Sequence, residues 1–292
     1  MTSKRLFCFG LGYSARRLAD RLLAEGWRVA GTTRDEAKAG ELRAAGVEAC
    51  VFDRGQPLAD AATALAGTTH LLSSVPPNRE GDPVLDHHAG DIAALAGRLA
   101  WAGYLSTTGV YGNREGGWVD EESELHPTSA RAERRVAAEH AWLRLHAGQG
   151  IPVHVFRLAG IYGPGRSPLD AVRQGRAKRI DKPGQVFSRI HVEDIATVLQ
   201  ASMARPNPGR VYNVCDDEPA APAEVTEHAC RLLGVESPPL VALEDAGLSD
   251  MGKTFWQDNK RVSNRRMHEE LGVRLAYPDY RTGLEALLGG GG

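Results

Sequence analysis

A glycine-rich turn near the N-terminus constrains the fold of this chain more than any other sequence feature. Gly10-Leu11-Gly12-Tyr13-Ser14-Ala15 follows the apolar run Leu6–Phe9 and opens a segment with helical periodicity, Ala15–Glu25. The first glycine permits a tight turn, and the second lets the backbone approach a pyrophosphate without an intervening Cβ. The helix that follows offers free N–H groups and a partial positive charge to that anion. The pattern predicts a strand, a phosphate-binding turn and a helix, as in a dinucleotide-binding unit.

Short apolar runs alternate with helical stretches through the first two-thirds of the sequence, which predicts βαβ units and a parallel sheet. We therefore expect an α/β fold, a doubly wound (Rossmann) sheet with helices on both faces and a strand order that reverses above the glycine turn. Further strands are predicted at Trp27–Gly31, Val47–Phe52, His70–Val75, Tyr104–Thr107, Pro152–Leu158 and Val211–Val214, and further helices at Ala37–Ala45, Ala89–Ala102, Arg131–His146 and Val192–Met203.

Charge and hydropathy exclude several classes of function. The 35 Lys and Arg residues against 37 Asp and Glu residues give a net charge of −2, which favours neither nucleic acid nor an anionic membrane as a partner. No apolar run approaches the length of a transmembrane helix. The apolar run after Lys4-Arg5 is interrupted by glycines and by Arg16-Arg17 too early for a secretory signal, so we expect a cytoplasmic protein.

The cysteines and histidines give no sign of a metal site or a disulfide. The four cysteines are far apart in sequence, without a C-x-x-C pair, and are predicted to be free buried thiols. His87-His88 and His191 lack the spacing of zinc ligands, and His191 is expected to serve packing between domains. The cysteines are Cys8, Cys50, Cys215 and Cys230.

The end of the second predicted strand selects between the two nicotinamide cofactors. An acid there would bind the adenosine ribose and repel a 2′-phosphate. This chain has Thr32-Thr33-Arg34 instead, and hydroxyls with a guanidinium suit a phosphate. The prediction is therefore NADP(H) in preference to NAD(H), and Asp35 would reverse it if the strand ended one residue later.

Ser106-Thr107-Thr108-Gly109-Val110-Tyr111-Gly112, together with the glycine turn, resembles the extended short-chain dehydrogenase/reductase family, which contains NAD-dependent epimerases and dehydratases. Four later stretches resemble that family in the expected order, and the likeness is greatest to its atypical, YeeZ-like bacterial branch. These stretches are Phe156–Gly165 beneath the nicotinamide, Arg189–Ala196 at the return from the substrate lobe, the strand Val211–Val214 and the C-terminal helix Asn259–Gly272.

The resemblance assigns a catalytic role to Thr107, because a Ser or Thr three residues before Val-Tyr-Gly polarises the substrate oxygen in that family. The family also places a Tyr and a Lys eight and four residues before a glutamate, and counting back from Glu139 gives Arg131 and Arg135. Arginine stays charged and cannot act as a general acid. Arg131 and Arg135 are predicted to bind an anion, the alternative being that they and Arg134 form a solvated helix face.

The proton donor is therefore open. Tyr111 is the first candidate and otherwise a wall of the cleft; the phenol of Tyr162, an acid among Asp120, Glu121 and Glu122, and water are the others. Asp53 resembles the family's adenine-contacting acid, with a turn residue before Gly55 as the alternative. The positions predicted to bind the cofactor are Gly10, Gly12, Tyr13, Ser14, Ala15, Thr33, Arg34, Asp53, Ser74 and Leu158.

These features predict an NADP(H)-dependent oxidoreductase or epimerase-like enzyme that acts on a small polar substrate, with an atypical active site. The alternative is a catalytically inactive NADP(H)-binding sensor of redox state, which the missing Tyr-Lys pair favours. We expect a cofactor domain at 1–165 plus 188–217, a substrate lobe at 166–187 plus 218–288 and a flexible tail at 289–292. The sequence does not identify the substrate, and it leaves a homodimer open.

Overall fold

The computed structural model of this protein describes residues 4–290. Its strands are β1 (Arg5–Phe9), β2 (Arg28–Thr33), β3 (Glu48–Val51), β4 (His70–Ser73), β5 (Trp101–Thr107), β6 (Trp118–Val119), β7 (Val153–Leu158), β8 (Gly160–Tyr162), β9 (Arg179–Asp181), β10 (Arg189–His191), β11 (Val211–Val214), β12 (Leu240–Ala242) and β13 (Arg261–Val262). Its α-helices are α1 (Tyr13–Ala24), α2 (Glu36–Ala44), α3 (Ala61–Leu65), α4 (Pro83–Ala93), α5 (Ala130–Gln149), α6 (Pro168–Arg173), α7 (Val192–Ala204), α8 (Pro222–Leu233), α9 (Asp250–Gln257), α10 (Arg265–Leu271) and α11 (Tyr280–Leu288).

A seven-stranded parallel sheet flanked by helices carries the glycine turn. Its strand order is β11-β7-β5-β4-β1-β2-β3, so the order reverses at β1, which pairs with β4 on one side and β2 on the other. Leu6 of β1 lies beside Val29 on one side and His70 on the other. The predicted doubly wound α/β sheet is confirmed.

Burial explains why β1 is a continuous apolar run after Arg5. All five of its residues are buried, as expected where helices cover both faces of a parallel sheet. On one face, Phe7 and Phe9 belong to the same hydrophobic cluster as Val84 of α4 and Trp142 of α5. The sheet and these helices therefore share one core.

The chain divides into two compact units. The first comprises 1–107, 130–157 and 195–212, and the second comprises 108–129, 158–194 and 213–292. The predicted substrate lobe lies in the second unit, together with 108–129, 158–165, 188–194 and 213–217, which the sequence analysis assigned to the cofactor domain. The second unit has apolar clusters of its own, one of them around Leu169, Val225 and Leu284. The predicted tail at 289–292 extends beyond the described residues.

The predicted helix at Ala89–Ala102 is wrong in its bounds. Helix α4 begins at Pro83, because the Asp82 carboxylate accepts hydrogen bonds from the Val84 and Leu85 N–H groups at 2.9 and 3.2 Å. It ends at Ala93, and β5 begins at Trp101, three residues earlier than predicted. The alanines of 93–102 suit a helix by propensity, but Trp101 and Ala102 are fully buried in the sheet.

Within residues 4–290, no helix has both the length and the apolar character needed to cross a bilayer. The four cysteines are free thiols; Cys8, Cys215 and Cys230 are buried and Cys50 is half-buried.

His154 in β7 makes the stability of the first unit depend on pH. Its Nε2 accepts a hydrogen bond from the Asn207 N–H at 2.8 Å, and its Nδ1 lies 3.2 Å from the Ala102 carbonyl oxygen. The ring is therefore neutral with its proton on Nδ1, and burial lowers the pKa of His154 from 6.5 to about 4. Between these two values the unfolded chain binds one more proton here than the folded protein does.

We therefore expect the free energy of unfolding to fall as the pH is lowered from 6.5 towards 4, with His70 acting in the same way. In urea unfolding at several pH values, His154→Gln should lower this slope by up to about 1.4 kcal/mol per pH unit. The exposed His140 provides the control, since His140→Gln should leave the slope as in the wild type. An unchanged slope in His154→Gln would contradict the assignment.

Candidate functional site

Gly10 is required by the backbone where β1 ends. Its φ is +83°, a conformation that residues with a side chain rarely adopt. Its N–H donates to Thr32 Oγ1 at 2.9 Å, and the Leu11 N–H donates to the Thr32 carbonyl at 2.8 Å. A Cβ at position 10 would lie 3.0 Å from Ser74 Oγ and 3.1 Å from a methyl carbon of Val75. The turn is thus fixed by β2 on one side and by the end of β4 on the other.

Gly12 differs from Gly10, because neither strain nor crowding requires a glycine there. Its φ is −84°, it is exposed, and within the described part of the chain no atom lies within 4 Å of where its Cβ would be. It is the N-cap residue of α1, whose first turn has no side-chain cap and no acidic residue in the structure described. The N–H groups of this helix end therefore face a space that an anion can enter.

The other residues predicted around the turn lie at the start of α1 and directly after β4. Ser14 and Ala15 are buried in the first turn of α1, and Tyr13 is half-buried. The Ser74 hydroxyl donates to the Gly10 carbonyl, and the Ser74 N–H donates to the Phe9 carbonyl at 2.9 Å. Ser74 therefore belongs to the same sheet edge as the turn. Cofactor binding by all five residues of the turn and by Ser74 stays a prediction.

The second strand ends at Thr33, and Arg34 follows it as an exposed residue. Asp35 is the N-cap of α2, and its carboxylate accepts a hydrogen bond from the Lys38 N–H at 2.8 Å. The strand therefore ends before Asp35, and Arg34 is the residue that directly follows it. After β3, the Asp53 carboxylate accepts from the Gly55 N–H at 2.6 Å, as in the turn alternative, and its contact with adenine stays a prediction.

A buried ion pair holds the end of β5, which carries Thr107. Arg157 of β7 donates to both carboxylate oxygens of Glu139, with Nη2 at 2.8 Å from Oε2 and Nε at 3.2 Å from Oε1. The Ser106 hydroxyl donates to the same carboxylate at 2.5 Å. All three side chains are buried. The residue before Thr107 is thus fixed to α5 and β7 by a charge-assisted network.

The two arginines at the family's Tyr and Lys positions have different surroundings. Arg131 is exposed at the start of α5. Arg135, one turn later, is buried, and its Nη1 donates to the Leu105 carbonyl at 2.7 Å and to the Tyr104 hydroxyl at 3.1 Å. The solvated face therefore includes Arg131 but not Arg135. Anion binding by either residue stays a prediction.

In the second unit, Tyr111 is fully buried, and its hydroxyl donates to Asn213 Oδ1 at 2.7 Å. The Asn213 N–H donates to the Glu121 carboxylate at 2.8 Å, and burial raises the pKa of Glu121 above its ordinary value. Asp120 and Glu122, on either side of Glu121, are both exposed. Asn213 therefore links the segment that carries Tyr111 to the acidic loop.

The remaining predicted residues of the second unit are buried. Leu158 is buried, and burial raises the pKa of the Tyr162 phenol. The His191 ring is buried 4.0 Å from that of Tyr277 and 5.1 Å from that of Tyr162. In the described ranges, no group of three or more His, Cys, Asp or Glu residues is arranged to hold a metal ion.

The sequence analysis missed the structural roles of Arg157 and Asn213. Arg157 stands in a buried strand whose other residues are apolar except for His154, and a buried charge in such a strand requires a partner. This charged residue was the sequence signal that could have revealed the ion pair. Asn213 gave none, because its partners are distant in sequence.

Removing Arg157 should be costly because the Glu139 charge would stay buried without it. We expect Arg157→Met to lower the free energy of unfolding by about 3–5 kcal/mol in urea titrations. The double variant Arg157→Met, Glu139→Gln should lose less of the free energy of unfolding than Arg157→Met alone, because no buried charge is left unpaired. Arg16 forms a partly exposed pair with Asp20, and Arg16→Met should cost about 1 kcal/mol or less. Equal losses for Arg157→Met and Arg16→Met would contradict a buried ion pair.

Comparison with known proteins agrees with this fold. The model of the NAD dependent epimerase/dehydratase family matches residues 10–215. Protein YeeZ of Escherichia coli K12 is 31% identical over 288 residues, covering 94% of this chain and 97% of YeeZ. A conserved protein of unknown function from Silicibacter pomeroyi is 52% identical over 99% of both chains, with a TM-score of 0.91.

More distant solved structures share the fold. The dTDP-glucose 4,6-dehydratase of Bacillus anthracis, solved in complex with NAD, has a TM-score of 0.78 at 16% identity, covering 98% of this chain and 96% of that one. The strand order, the glycine turn, the family match and the likeness to YeeZ all agree with the motifs identified in the sequence. This protein therefore belongs to the NAD-dependent epimerase/dehydratase family, within the extended short-chain dehydrogenase/reductase group.

Proposed function

We propose that this protein binds NADP(H) at the glycine turn and acts as an oxidoreductase or epimerase-like enzyme on a small polar substrate. The observation that carries the proposal is the open space at Gly12, in front of the uncapped N-terminus of α1. A pyrophosphate placed there accepts hydrogen bonds from the helix N–H groups. Membership of the family and the NAD held by the Bacillus anthracis dehydratase support a nicotinamide cofactor.

The preference for NADP(H) rests on Arg34. Its exposed guanidinium directly follows β2 and offers charge-assisted hydrogen bonds to a 2′-phosphate. The carboxylate of Asp35, which would repel that phosphate, is held in the cap of α2 by the Lys38 N–H. The side chain that directly follows the strand is therefore a cation, while the neighbouring carboxylate is engaged in the helix cap.

The proposed chemistry is hydride exchange, which the nicotinamide supplies when it is bound. Thr107 would polarise the reacting oxygen, and the network of Ser106, Glu139 and Arg157 would hold the end of its strand. The exposed Arg131 suits an anionic group of the substrate. Because the Tyr111 phenol is bonded to Asn213, we favour water over Tyr111 as the proton donor.

A catalytically inactive redox sensor is the second candidate. It is favoured by the environment of Arg135, whose guanidinium is bonded to Leu105 and Tyr104 inside the first unit. The helix thus has neither the Tyr nor the Lys of the family, and one of the replacing arginines is engaged in the core.

Calorimetric titration with NADPH and NADH, followed by NADPH fluorescence against a panel of carbonyl metabolites, separates these candidates. Tight NADPH binding with turnover supports the enzyme, and tight binding without turnover on the panel favours the sensor. Absence of binding would refute both.

Gly12→Ala distinguishes a binding turn from a purely structural one. The added methyl group meets no protein atom in the described structure, so thermal unfolding should be nearly unchanged. It occupies the space proposed for the pyrophosphate, so the affinity for NADPH should fall by about tenfold or more, or about 1.4 kcal/mol. Gly40→Ala on α2 is the matched control, because its Cβ also meets nothing within 4 Å. Unchanged NADPH affinity in Gly12→Ala would overturn the site.

Arg34→Glu tests the choice of cofactor. We expect it to weaken NADP(H) binding more than NAD(H) binding by about 1–3 kcal/mol, because charge-assisted bonds to the 2′-phosphate are lost and repulsion is added. Arg98→Glu makes the same change of charge at another exposed site of the first unit and should affect neither cofactor. Calorimetry with both cofactors provides the measurement. Equal losses for the two would sink the 2′-phosphate assignment.

A further inference from the structure

The second unit contains a pocket distinct from the glycine turn, which lies in the first unit. Its volume is about 290 Å³, just below the roughly 300–1,000 Å³ typical of ligand sites. A dinucleotide is therefore too large to be enclosed there. The pocket is lined by Trp118, Val119, Asp120, Ser123, Ser263 and Arg265.

The walls of this pocket are tied together behind it. They follow the paired parallel strands β6 and β13, in which Trp118 lies beside Arg261 and Val119 beside Val262. Beyond the strands, the buried Glu121 carboxylate lies 3.7 Å from the Arg266 guanidinium, which also bonds to Glu122. These contacts fix the loop that follows β6 to the segment that follows β13. The pocket is therefore formed before any ligand enters.

One wall of the pocket is an exposed aromatic ring. The Trp118 side chain is 63% exposed, whereas Trp101 and Trp142 are fully buried. An indole left in water beside a concave surface presents a large apolar face and an N–H donor to a ligand. This wall suits an apolar group of the ligand.

The pocket also carries one charge of each sign. Hydrogen bonds from the Ser123 hydroxyl at 2.9 Å and the Glu122 N–H at 3.1 Å fix Asp120 Oδ1, and the bond from Ser123 lowers the pKa of Asp120. Asp120 is therefore ionised at neutral pH. The Arg265 side chain is 77% exposed, and its ion pair with Glu269 is long, at 3.7 Å. A guanidinium in this state retains donors for a carboxylate.

We propose that this pocket binds a small zwitterion with an apolar side chain, that is, an aliphatic or aromatic α-amino acid. Arg265 receives the carboxylate, Asp120 receives the ammonium group, and the side chain packs on the Trp118 indole. A simple anion would be repelled by Asp120, and a simple cation would be repelled by Arg265. Neither therefore complements the pocket as well as a zwitterion does. The inference does not depend on the proposed cofactor function.

The test is a titration of the full chain with L-leucine, followed by calorimetry and by the ¹⁵N-indole resonance of Trp118, assigned with Trp118→Phe. We expect saturable binding with a Kd of about 5 mM or tighter, as befits so small a ligand. N-acetyl-L-leucine lacks the ammonium group and L-leucinamide lacks the carboxylate, and each should bind about tenfold more weakly or worse.

The variants Asp120→Asn, Arg265→Met and Trp118→Ala should each weaken L-leucine binding by a similar factor. Phe255→Ala, which removes another exposed aromatic ring outside the pocket, should not. The two blocked ligands are tested on the unchanged protein, so the result does not depend on folding of the variants. No saturable binding, equal binding of the blocked ligands, or binding of D-glucose in place of L-leucine would overturn the proposal.

Discussion

The buried ion pair between Glu139 and Arg157 is the interaction on which the geometry of the first unit depends. It joins α5 to β7 and, through Ser106, both of them to the end of β5. A buried ion pair adds little net stability compared with apolar residues, but either charge left alone is strongly unfavourable. The pair therefore selects one arrangement of these three elements. Thr107 and the segment that carries Tyr111 continue directly from this fixed point.

The sequence was sufficient to predict the fold because its pattern is local. Strand and helix periodicity, together with the glycine turn, determine the order of βα units, and that order implies the reversal at β1. The bounds of α4 were missed although the cap Asp82-Pro83 was visible, because alanine content outweighed capping in the interpretation. Local signals are thus reliable for the existence of an element and weaker for its ends.

The candidate site was less predictable, because the fates of neighbouring side chains depend on distant partners. Arg131 and Arg135 are one helical turn apart, yet only Arg135 is buried, because the Leu105 carbonyl and the Tyr104 hydroxyl accept its hydrogen bonds. Asp120 and Glu121 are adjacent, but only Glu121 meets the N–H of Asn213. Sequence spacing identifies which residue types are present, whereas tertiary contacts decide which of them remain available for chemistry.

The cap of α2 has a consequence for how this protein can evolve. Because the Asp35 carboxylate is held by the Lys38 N–H, it belongs to the helix rather than to the end of β2. The side chain at position 34 is then the group at that strand end that is left to distinguish the two cofactors. Under the proposed function, a descendant of this chain can exchange the biosynthetic NADPH pool for the catabolic NADH pool by a single substitution. The strand, the turn and the helix can all remain as they are.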